Sequence, residues 1–88
     1  PSYLDPEVLR AFMDAAAPEP TVLAVTLAPG DPTARLAGPE LVVRLALIEG
    51  LDRASLDAVI ARLQGRWAAS EIITTRVDSL RVQLLSAV

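Results

Sequence analysis

Few residues in this chain could carry chemistry. Ser55 stands three residues after Asp52, and Ser70 directly precedes Glu71, so each hydroxyl has a carboxylate nearby. A serine hydroxyl needs an adjacent base to become a nucleophile, and the chain contains no His and no Lys to act as one. Both serines instead suit helix termini, where short hydroxyl side chains bond to backbone groups. Arg44 and Arg76 fall inside β-rich runs. There a guanidinium either meets an anion on an open sheet face or pairs across strands and guards an edge, and pairing is the expected role. Trp67 could stack a ligand, yet it is in phase with Leu56, Val59, Ile60 and Leu63 and therefore reads as core. The segment Pro29-Gly30-Asp31-Pro32 lacks the spaced glycines and Lys of a phosphate loop and opens no helix, so it is a turn.

The residue types that are missing exclude more. Without Cys or His there is no disulfide, no thiolate, no zinc finger and no imidazole base. The eleven acids are scattered and form no calcium loop, so neither a metal nor a cofactor is expected. All eight basic residues are Arg, spread from Arg10 to Arg81, and the net charge is −3. With Tyr3, Phe12 and Trp67 the only aromatics, nucleic acid is not an expected partner. The longest apolar run, Leu41 to Ile48, is interrupted by Arg44 and is far short of the roughly 20 residues that cross a bilayer. The chain begins at Pro rather than Met, which reads as a fragment or processed form whose membrane anchor, if one exists, lies upstream. Its 88 residues allow a single domain, 1–88, and composition suits a periplasmic or a cytoplasmic setting alike. No enzyme is expected.

The elements that would position these residues follow from periodicity. A helix is predicted over 4–17, with Asp5 as cap, Pro6 in the first turn and an apolar stripe of Leu9, Phe12, Met13 and Ala16. Pro18 and Pro20 end it. Thr21–Ala28 is a strand with Leu23, Val25 and Leu27 on one face and Val22, Ala24 and Thr26 on the other. Residues 29–39, with three prolines and two glycines, form a long loop. Glu40–Glu49 is the strongest strand, and Gly50 breaks it. Asp52 caps a second helix with a stripe of Leu56, Val59, Ile60, Leu63 and Trp67, leaving Arg53, Asp57, Arg62 and Arg66 outside. Glu71–Val77 and Leu80–Val88 are two further β-rich runs joined by Asp78-Ser79 as a hairpin.

Both helix starts place Leu before an Asp cap and Leu at the fourth helical position, the pattern of a hydrophobic staple (Leu4/Leu9 and Leu51/Leu56). Each helix is followed by two strands, so the expected order is αββαββ. The predicted fold is α+β: a two-layer α/β sandwich, a circularly permuted ferredoxin-like arrangement, with a four-stranded antiparallel sheet and two helices on one face. The other face would carry Val22, Ala24, Val42, Arg44, Ala46 and Ile48, an apolar surface suited to a partner.

The segment ELVVRLALIEGLDRASLDAVIARLQGRWAASEIITTRVDSLRVQLLSAV, Glu40 to Val88, resembles the periplasmic domains of inner-membrane platform proteins of type II secretion systems, the L and M components, and of their type IV pilus relatives PilN and PilO. That resemblance implies a scaffold on the periplasmic side of the inner membrane, anchored by an upstream segment and acting as a homodimer or with a related platform domain. It transfers no functional residue. Two other classes share such layers: a regulatory domain of the ACT type, which binds small molecules at a dimer interface, and the STAS fold suggested by IEGLDRASLDAVIARL, for which 88 residues and two helices are too few.

Overall fold

The computed structural model describes residues 2–31, 33 and 40–85. After a single 3-10 turn at Ser2–Leu4 come α1 (Pro6–Ala16), β1 (Val22–Pro29), β2 (Glu40–Leu47), α2 (Arg53–Ala69), α3 (Glu71–Arg76) and β3 (Ser79–Leu85). Local chemistry sets the helix starts. The Asp5 carboxylate accepts from the Glu7 backbone N–H at 2.9 Å, and that of Asp52 accepts from the Ser55 N–H at 2.7 Å. Pro6 occupies the first turn of α1, where its missing N–H costs nothing. Gly50 adopts φ +81° between β2 and α2, a conformation that penalises any side chain.

The sheet has three strands in the order β1-β2-β3. β1 and β2 are antiparallel; β2 and β3 are parallel. The expected four-stranded antiparallel αββαββ sandwich is therefore incorrect. The segment expected as a third strand, Glu71–Val77, is helix α3 over its first six residues. Ser70 caps that helix, its Oγ accepting from the Ile73 N–H at 3.3 Å, while the Thr74 and Thr75 hydroxyls donate to carbonyls of the preceding turn. These local bonds, with Ile73 buried against the core, outweigh the strand preference of Ile-Ile-Thr-Thr. With α3 helical, α2 and α3 together form the crossover that a parallel β2–β3 pair requires. The hairpin at Asp78-Ser79 does not form. Residues 86–88, the end of the expected last strand, and most of the loop 29–39 lie outside the described residues.

The core lies between the helices and one sheet face. Val8, Phe12, Ala15 and Ala16 of α1, Val59, Leu63 and Trp67 of α2, and Ile73 of α3 pack on Leu41, Val43, Leu45 and Leu47 of β2. The α1 stripe is rotated from the expected one: Val8 is fully buried, whereas Met13 is 53% exposed. Leu4 is 66% exposed, so the staple of the first helix is not packed; Leu51 and Leu56 do pack against the core. Trp67 meets Phe12 edge to face with centroids 5.5 Å apart, the core role expected of it.

Candidate interaction surface

Strand alternation assigns the faces, with one interruption. Val22 pairs with Leu47 but Ala24 pairs with Ala46, so β1 carries an extra residue at Leu23. This β-bulge returns Val22 to the helix side, where it packs against the core, and leaves Leu23 62% exposed. Of the six residues expected on the open face, Ala24, Arg44, Ala46 and Ile48 stand there and Val22 does not. Val42 faces that way but is only 2% exposed, as is its neighbour Ala28 at 8%. The open face is thus not a uniform apolar surplus.

Polar pairs cross its middle. Arg44 Nε donates to Gln83 Oε1 at 2.9 Å, and Arg81 Nε lies 3.0 Å from Glu40 Oε1. Arg44 does reach across strands, but to the neutral Gln83 and not to the Glu expected of such a pair. At one end Gly30 donates its N–H to the Glu40 carbonyl at 2.9 Å, and a Cβ on Gly30 would come within 2.5 Å of the Glu40 side chain. Glycine is required there by this close approach. Of the large apolar side chains left accessible, Leu80 (36% exposed), Leu84 (43%) and Leu85 (41%) lie on β3 and Ile48 (40%) just past the end of β2, while Leu4, Met13, Leu23 and Ile72 are exposed elsewhere. Leu80 and Leu84 lie on the helix side of β3, and Leu85 lies on the open side beside Ala46.

Several ionisable groups hold the fold together. Glu19, in the turn between Pro18 and Pro20, is the one buried charged residue among those described. Arg62 donates to both its carboxylate oxygens at 2.8 Å, and Arg66 adds a contact at 2.9 Å while also reaching the Ala15 carbonyl. Hydrogen bonds from Arg62 and then Arg66 pull the Glu19 carboxyl down to about 2. Arg76, expected mid-strand, sits in the last turn of α3 and pairs with Asp5 at 2.9 Å and Glu7 at 3.1 Å, which lowers the Asp5 carboxyl in turn. Ser2 Oγ donates to the Arg76 carbonyl, so the start of the chain is tied to α3.

Ser55 and Ser70 lie at helix starts, where their partners are backbone and cap groups. Among the described residues no three acids converge as a metal cage would require. No helix among them is long and apolar enough to cross a membrane. The Trp67 Nε1 and Thr21 Oγ1 are buried with no hydrogen-bond partner among the described residues. The Glu19–Arg62–Arg66 cluster escaped sequence reasoning, although two arginines four apart on one helix face and an acid fixed between two prolines are its visible trace.

No protein-family model matches the chain, and no curated protein or solved structure matches it either.

Proposed function

We propose that this chain is a non-enzymatic association domain that works by docking to another protein surface through its sheet. The observation that carries the reading is the exposure of Ile48, Leu80, Leu84 and Leu85 on or near β3, whose outer edge no strand among the described residues covers, whereas the central strand β2 buries its helix-side residues Leu41, Val43, Leu45 and Leu47. Apolar side chains grouped at an edge favour contact with a partner. The non-enzymatic part is supported by the absence of His, Lys and Cys and by the engagement of Glu19, Asp5 and Asp52 in bonds that hold helices and turns.

A scaffold role in a secretion or pilus platform is the specific form of this proposal. Its support is the order α1-β1-β2-α2, which follows the expected pattern as far as Ala69. Light scattering on a size-exclusion column, with and without a purified platform domain, tests both levels. Concentration-dependent growth in mass supports association, and a stoichiometric mixed complex supports the platform role. Failure to associate under either condition contradicts the proposal. A rise in melting temperature with a metabolite, and no association, would point to a ligand-binding domain instead.

A further inference from the structure

The two sheet edges are protected very differently. β1 carries a bulge at Leu23 and a proline at its end, Pro29, both devices that spoil pairing with another strand. β3 carries neither over Ser79–Leu85, and its single charged residue, Arg81, is neutralised within the chain by Glu40. No strand among the described residues pairs with its outer edge. Leu80 and Leu84, on the helix side, stand beside α2 and α3 without being covered: Leu84 borders Leu56 and Ile60, and Leu80 borders Trp67 and Ile73.

We infer that β3 is the self-association edge: two copies of this chain pair β3 antiparallel about a two-fold axis at Val82, joining their sheets into one of six strands. This inference rests on the association reading above and names its surface and partner. The strand sequence is self-complementary in that register. Leu80 falls opposite Leu84 of the second copy, Arg81 opposite Gln83, and Ser79 opposite Leu85, each pair on a common face. Both helix layers lie on the same side, and the two half-covered leucines of each copy are buried twice over. A register centred on Arg81 would set like charges face to face, and one centred on Gln83 would shorten the paired strand. Pairing of β3 with the β1 edge of the next copy, which would propagate into filaments, is blocked by the bulge and Pro29.

The absence of cysteine makes the test direct. In the paired strands the two Val82 Cβ atoms would lie about 4.5–5.5 Å apart, close enough for a disulfide with slight adjustment. Val82→Cys is therefore expected to oxidise to a covalent dimer, and Thr26→Cys, on the exposed middle of β1, is not. Leu84→Lys should raise the dimer dissociation constant about tenfold or more while keeping the wild-type circular dichroism, and Leu23→Lys at the β1 bulge should leave it unchanged. A dimer that fails to cross-link at position 82 and tolerates Leu84→Lys would overturn the β3 assignment and leave association through another surface standing. A wild-type chain that stays monomeric at every concentration would contradict both.

Discussion

Arg62 grips Glu19 with two hydrogen bonds of 2.8 Å, joining the α1–β1 turn to the middle of α2 across 43 residues of sequence. The Glu19 side chain is only 4% exposed, so its charge has been taken out of water and depends on Arg62 and Arg66 for compensation. Substituting Glu19 by Gln leaves two guanidiniums facing a neutral amide. The variant is expected to melt well below the wild type at neutral pH.

The same contact sets an acid limit. The Glu19 carboxyl is lowered to about 2 from an ordinary value of 4.5, so it stays ionised in the folded chain at pH values where the unfolded chain takes up a proton. Its stabilising effect is complete above about 4.5 and is lost as the pH falls toward about 2. Asp5, Asp31 and Asp52 are shifted in the same direction by their own hydrogen bonds and add to the trend. Thermal melts across that window should show wild-type stability falling, with a shallower fall for Glu19→Gln. Parallel curves would mean that Glu19 does not contribute as described.

Leu63 is fully buried beneath the sheet, and Leu4 is mostly exposed. Leu63→Ala is expected to cost about 2–5 kcal/mol, as a large-to-small core change does. Leu4→Ala should stay within about 0.5 kcal/mol, as is usual for surface positions. Urea titration measures both. A large loss at Leu4 would show that the first helix is stapled after all.

Ser70 ends α2 and begins α3, and its Oγ is the cap that starts the second turn of direction. Ser70→Ala should cost about 1 kcal/mol. Hydrogen exchange locates the loss: the Thr74 and Val77 amides, which bond back to Ser70 and Ile73, should exchange faster while those of α1 keep their protection.

How far this architecture could be read in advance depends on which signals compete locally. The starts of α1 and α2 were legible because Asp5 and Asp52 are strong caps before apolar stripes, and β1 and β2 were legible from their β-branched composition and flanking prolines and glycines. Helix α3 was not, because Ile72 to Thr75 all favour strands in isolation and only Ser70-Glu71 argued otherwise. Losing that strand reversed the direction of β3 and removed the expected hairpin. The bulge was hidden for a different reason: Val22, Leu23, Ala24 and Val25 are all apolar, so alternation could not tell which residue was the extra one. The candidate surface shifted accordingly. Ala24, Arg44, Ala46 and Ile48 were placed on the open face by β-strand periodicity alone, while Leu80 and Leu84 required knowing that β3 is the edge strand of the sheet among the described residues.

The most direct test of the central claim is sedimentation equilibrium of the unmodified chain, from about 1 to 100 μM, a range that spans micromolar dissociation constants. The account predicts a reversible monomer–dimer equilibrium, with mass rising smoothly to twice the 9.3 kDa monomer and not beyond, because β1 cannot extend the sheet. A single monomer species at every concentration, or open-ended growth past the dimer, would contradict it.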